Sequence, residues 1–194
     1  YFLAIIQCLS TQRDSIAGSK PLGSTAAQTY LKDTTALLES IRKFDCYAWA
    51  GNLQQSRNSS SQETTNLRAL AESYKLGALL YGRRILDAIT GEFTVQDEIL
   101  AELLGMINSL KDDRAMFKCI LWPIFVAGLE SQWPEQRCFL IDCIEKFWAI
   151  TNCKNGLNAA KTLDEYWQQE DSPGSSRSQW IFTIGRLGRD WLWV

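Results

Sequence analysis

Histidine is absent from this chain. Its absence removes Ser-His-Asp and Cys-His nucleophilic catalysis, imidazole acid–base work and His-ligated zinc. Six cysteines remain as potential ligands or nucleophiles: Cys8, Cys46, Cys119, Cys138, Cys143 and Cys153, with no Cys-x-x-Cys pair. A zinc binuclear cluster needs closely spaced thiolates around its metals, so cysteines scattered over nearly the whole chain do not build one. Cys138 and Cys143 stand five residues apart, on different faces of a helix, which weakens a two-thiol metal site. An even count permits disulfides, but a chain with an ample apolar core does not need them. Buried free thiols in a reducing compartment are the expectation.

The carboxylates offer no more. Glu135, Asp142 and Glu145 read as a solvated helix face, and Glu130 would need a second polar group and a substrate pocket to act as an acid or base. Gly-rich phosphate loops, metal-spaced carboxylates and a nucleophile elbow are all missing. No catalytic or metal residue is assigned, and the chain reads as a non-enzyme. An enzyme built on this fold would have to work on an apolar metabolite with Glu, Asp, Tyr or Cys alone.

What the chain does carry is tryptophan, eight in all. Trp122, Trp148 and Trp167 fall on helical faces beside Leu, Ile and Phe, where core packing explains them. The alternative is an apolar cavity between helices, lined by Tyr81, Trp122, Phe125, Phe147 and Trp148, with an indole N–H to orient a ligand. Trp180, Trp191 and Trp193 belong to a Trp-rich end, Asp190-Trp191-Leu192-Trp193-Val194, that either tucks back or joins a subunit interface. Two polar features accompany them. Glu130 and Arg137 flank one turn, and an ion pair between them would fix a helical hairpin. Arg83 and Arg84 are the only adjacent arginines. One of them should face inward past Tyr81, pairing with an acid or with helix carbonyls, or recognising an effector carboxylate.

The elements that must position these residues are helical throughout. The run CILWPIFVAGLESQWPEQRCFLIDCIEKFW, from Cys119 to Trp148, reads as an apolar helix closing near Gly128, a turn at Ser131-Gln132 and a second helix opening at Pro134. Pro123 falls inside the first. An interior proline removes a backbone hydrogen bond at about 3 kcal/mol, so a kinked central helix stabilised by burial is expected. Upstream, 1–11 ends a buried helix, a loop covers 18–24, and 25–44 is a helix with Tyr30, Leu37, Ile41 and Phe44 at three- and four-residue steps. A short helix covers 46–53 and a solvated loop 56–61. The stripe Leu67, Leu70, Tyr74, Ala78, Tyr81, Ile85, Ile89 marks a long helix over 62–90, closed by Gly91. Thr94-x-x-Asp97 resembles a capping box opening a helix with Ile99, Leu103, Met106 or Ile107, and Leu110 inward. The Pro134 helix reaches 151, another spans 157–169, and 171–176 is an exposed loop. Strand alternation and repeats are lacking. The expected fold is all-α: a single helical-array or bundle-like domain of about seven to nine helices.

These same residues carry a resemblance. Trp122-Pro123-Ile124-Phe125-Val126-Ala127-Gly128-Leu129-Glu130, followed by Arg137, Leu163-Asp164-Glu165-Tyr166-Trp167 and Trp180, resembles the fungal-specific transcription factor domain of the second type. Domains of this kind lie downstream of zinc binuclear-cluster DNA-binding modules. The helix Tyr74-Lys75-Leu76-Gly77-Ala78-Leu79-Leu80-Tyr81-Gly82-Arg83-Arg84-Ile85-Leu86 resembles the one preceding that block, and the similarity covers roughly 67–185. The resemblance implies a regulatory domain in a nuclear protein, answering to a small apolar effector or working as a homodimer. Zinc and DNA contact would belong to an upstream module, absent from what reads as a fragment opening at Tyr1. Pro123, Gly128, Glu130, Arg137 and Trp167 would then be structural.

Bulk properties agree. Hydrophobic residues make up 46% of 194 and charged residues 22%, a globular balance sufficient for one domain over 1–194. The net charge of −2 and scattered Lys and Arg argue against a phosphate-gripping surface in this chain. No apolar run reaches the ~18 residues that span a bilayer.

Overall fold

The computed structural model describes residues 2–18, 24–57, 60–172 and 180–181. Among them are nine α-helices and no strand. In chain order these are α1 (Phe2–Gly18), α2 (Ser24–Lys43), α3 (Cys46–Arg57), α4 (Ser61–Thr90), α5 (Asp97–Leu110), α6 (Arg114–Phe117), α7 (Leu121–Glu130), α8 (Pro134–Thr151) and α9 (Lys154–Glu170). No helix among the described residues is long and apolar enough to cross a membrane. The Trp191–Trp193 end and most of the expected 18–24 and 171–176 loops lie outside the described residues.

The all-α expectation holds, and α4 is its axis. It packs against α1, α2 and α3, and also against α5, α6 and α7. Its N-terminus is capped by the Ser60 side chain, which accepts from the Glu63 N–H at 3.1 Å. Gly91 ends it at φ 74, the left-handed conformation glycine adopts without a Cβ penalty. Between these caps the expected stripe widens. Residues 76–82 and 84–87 are buried all round, as they must be in a helix packed on several sides. Two glycines permit the closest approaches. A Cβ on Gly77 would lie 2.8 Å from the Trp122 ring of α7, and one on Gly82 would lie 2.7 Å from Leu38 of α2.

Pro123 does not kink a helix. The single turn of α6 ends at Phe117, 118–120 are outside any helix, and α7 makes a fresh start at Leu121. Pro123 is therefore the third residue of α7, inside the first turn, where no N–H has an intrahelical acceptor. The first bond inside α7 runs from the Ile124 N–H to the Ile120 carbonyl at 3.0 Å. The Cys119 carbonyl, just ahead of the Ile120 cap, accepts from the Tyr74 hydroxyl of α4 at 2.8 Å. Burial pushes that hydroxyl up to about 12, so it stays a donor. Pro123→Ala is accordingly expected to cost about 1–3 kcal/mol, part from the gain in freedom of the unfolded chain and part from the two ring carbons buried in α7. Chemical denaturation measures this directly. An interior kink would give the opposite sign, a gain near 3 kcal/mol on removing the proline.

Two smaller expectations also change. Thr94 does not cap α5: the cap position is Gln96, with no side-chain cap bond, because Thr94 is held by Asp87 of α4. The six cysteines are all free, but only Cys46 and Cys143 are buried, while Cys8, Cys119 and Cys138 are exposed. Burial raises the Cys46 thiol to about 12 and Cys143 to about 11. Both are therefore poor nucleophiles.

The α8–α9 pair opens and closes as its residues dictate. Pro134 stands at the start of α8, and Asn152 ends it at φ 50 in the left-handed region that asparagine tolerates.

Candidate functional site

Arg84 is the centre of the site. The inward turn of α4 that buries Ile85 and Leu86 also carries this guanidinium into the interior, 6% exposed. A buried charge persists only when paired and fully hydrogen-bonded. Arg84 meets that demand through a two-pronged bond to Glu130, the last residue of α7: Nε to Oε1 at 2.8 Å and Nη2 to Oε2 at 2.6 Å. Its Nη1 donates to Asp87 at 2.8 Å and to the Thr94 carbonyl at 2.9 Å. Burial works against its charge, but the bonds and charges of Glu130 and then Asp87 outweigh it and raise its pKa further. The Phe93 ring covers the guanidinium at 4.3 Å.

Asp87 binds the chain leading into α5. It accepts from the Thr94 N–H at 3.0 Å and the Thr94 hydroxyl at 2.8 Å. Arg83 donates to the same hydroxyl from outside, at 3.0 and 2.8 Å. Glu130 takes a further bond, from the Trp180 indole at 2.6 Å. Trp180 also lies 5.9 Å from the Tyr81 ring. One carboxylate therefore joins α4, α7 and the 180–181 segment.

A second arginine stands nearby. Arg137, in the first turns of α8, reaches back to the Ser131 carbonyl at 3.2 Å and forward to Asp171, past the end of α9, at 2.6 Å. Its guanidinium lies 5.2 Å over the Trp167 ring, and the Trp167 indole donates to the Gly128 carbonyl at 2.9 Å. Gly128 is glycine for room: a Cβ there would sit 2.6 Å from a Leu163 methyl of α9. The expected Glu130–Arg137 pair does not form. Glu130 is buried and faces α4, where Arg84 offers both prongs of its fork; Arg137 lies beyond the turn and takes Asp171.

Between the two arginines is a cavity of about 200 Å³, whose walls include Arg84, Phe93, Glu130, Arg137, Tyr166 and Trp180. Burial and the Glu170 and Glu130 charges raise the Tyr166 pKa, so its hydroxyl keeps its proton.

The residues expected to line an apolar pocket are placed differently. Trp122 and Tyr81 meet edge to face at 6.4 Å, with Tyr74 stacked on Trp122 at 5.8 Å. Tyr81 shares a hydrogen bond with Ser10 at 3.1 Å. Phe125 is 1% exposed within α7. Phe147 packs towards Gly156 of α9, and Trp148 is half-buried on α8. Asp87, Phe93 and Asp171 were not singled out from the sequence, and Thr94 and Tyr166 were named there without a part in this site. Only Asp87 left a signal, three residues after Arg84 on one helix face.

The whole chain, residues 1–194, matches the fungal specific transcription factor domain, and the chain belongs to that family. It is similar to the acriflavine sensitivity control protein acr-2 of Neurospora crassa, at 23% identity over 95% of this chain and 32% of that protein. The chain thus spans about a third of that relative's length. No solved structure matches it.

Proposed function

We propose that this domain is the regulatory part of a fungal zinc-cluster transcription factor, acting in the nucleus on a signal carried by a small, mainly apolar effector. DNA would be gripped by a separate zinc-bearing module of the whole protein, since this chain's net charge is −2. Catalysis forms no part of the reading. The observation that carries it is the meeting of Arg84, Glu130, Arg137 and Trp180 around one cavity whose wall is part charged and part aromatic. A small body seated there touches α4, α7 and α8 together, and differential affinity for two arrangements of those helices is what an effector needs. The relative acr-2 is named for control of sensitivity to a small molecule, which favours the same kind of signal here.

The test is a reporter gene driven by the whole protein, with and without residues 1–194. A regulatory domain predicts output that becomes constitutive or is lost; identical regulated output in both would overturn the reading.

A ligand-free scaffold working as a homodimer is the second reading. Leu3 (68% exposed), Tyr47 (72%) and Trp49 (36%) favour it, lying at or near an apolar groove that Phe2, Phe44 and Leu70 also line. A second copy is the occupant this reading requires. Sedimentation decides between them, since a monomer at tens of micromolar removes the homodimer.

A further inference from the structure

We propose that the cavity beside Arg137 binds a small aromatic carboxylate, which takes from Asp171 its place on the Arg137 guanidinium. The proposal rests on the effector reading above and names the ligand's chemistry.

Three observations carry it. The first is the state of Arg137. Its side chain is 16% exposed, yet among the described residues its only carboxylate partner is Asp171, through one oxygen at 2.6 Å. A guanidinium presents paired N–H groups suited to two parallel bonds with a carboxylate, and Asp171 uses one. Asp171 is itself 62% exposed, so its hold is that of a surface pair, weak and screened.

The second is the wall. Phe93, Tyr166 and Trp180 stand in the wall and supply apolar surface against which one aromatic ring can pack. The volume, about 200 Å³, is below the usual ~300–1,000 Å³ of sites for larger ligands, which limits the occupant to about one ring. Among the described residues the Tyr166 hydroxyl has no hydrogen-bond partner, and with its proton kept it is a second donor for an oxygen ligand.

The third is charge. Glu130 already accepts three bonds, two from Arg84 and one from Trp180, so it neither calls for a cation nor leaves its charge uncompensated. Glu170 and Asp171 stand at the same cavity and oppose an anion. An incoming carboxylate must therefore displace Asp171, and this requirement makes the site a switch. The Asp171 N–H closes the last turn of α9 onto the Trp167 carbonyl at 2.9 Å. Moving its side chain off Arg137 uncouples the end of α9 from α8.

Calorimetric titration of the chain with benzoate, benzamide and benzylamine tests this. Benzoate is expected to bind and the uncharged amide to fail. Asp171→Asn, a change at an exposed side chain, should tighten benzoate by up to about fivefold by removing the competitor. Arg137→Gln should weaken it by at least about tenfold. Failure of benzoate on both the wild type and Asp171→Asn overturns the proposal, as does binding indifferent to Asp171→Asn. Preference for benzylamine overturns it too, assigning the cavity to cations through Glu170 and Asp171. If benzoate fails while loss of residues 1–194 still changes reporter output, the ligand class falls and the regulatory reading stands.

Discussion

Glu130→Ala is expected to lower the stability of the domain by about 3–5 kcal/mol, measured by urea denaturation. Removing one partner of a buried pair leaves the other charge in low dielectric, and this penalty exceeds the worth of the pair itself. Here the change deletes both prongs of the Arg84 bond and the acceptor of the Trp180 indole at once. Asp87 remains on Arg84 at 2.8 Å, but it lies on the same helix and cannot hold α7. Set against total stabilities of about 5–15 kcal/mol, the loss brings the domain near its unfolding threshold. The control is the double change Arg84→Met with Glu130→Leu. With both charges gone it should recover most of the loss, since apolar replacement of a whole buried pair is often neutral or better. A double variant as unstable as the single one would show that bond geometry, and not the stranded charge, sets the penalty.

Trp122→Ala is the second large effect, expected at about 3–5 kcal/mol from lost burial and the cavity left behind. The ring is 6% exposed, stacked on Tyr74 and edge-on to Tyr81, and fitted over Gly77. That last contact makes the prediction sharper. Gly77→Ala in the wild type places a Cβ 2.8 Å from a ring atom, an overpacking worth roughly 1–3 kcal/mol of instability. In the Trp122→Ala background the clash is gone, and alanine's helix preference should make Gly77→Ala stabilising by up to about 1 kcal/mol. The two changes are thus expected to be non-additive, with a reversal of sign. Additive losses would mean that the cost of Gly77→Ala does not come from the Trp122 ring and that Gly77 is not there to admit it.

How much of this was readable beforehand follows from the range of each interaction. The bounds of α8, from Pro134 to Thr151, and the Gly91 end of α4 were legible because caps are local: a proline or a left-handed residue acts within one turn. The stripe of α4 was legible for the same reason, although its widening into a fully buried middle depends on how many neighbours it has. The break before Leu121 was not. A single Lys118 ahead of Cys119 and Ile120 does not mark a break, and the Tyr74 hydroxyl that satisfies the Cys119 carbonyl comes from 45 residues away. The partners of Glu130 and Arg137 were illegible too. Proximity in sequence suggested each to the other, whereas burial decided for Arg84, which is 46 residues distant. Thr94 misled in a related way, since its hydroxyl can cap a helix or bond a carboxylate, and Asp87 was close enough to win. The expectation that the cysteines would be buried failed at Cys8, Cys119 and Cys138, because an intermediate hydrophobicity does not fix a helix face.

The paired notches of α4 also bear on how the domain can move. Gly77 and Gly82 are five residues apart, roughly 140° around the helix axis, and each receives a bulky side chain from a different neighbour. A rod gripped on two flanks cannot spin or slip lengthwise without first withdrawing one of those side chains. A shift of α7 with the Trp122 ring still seated over Gly77 must therefore carry α4 with it, against Leu38 on the other flank.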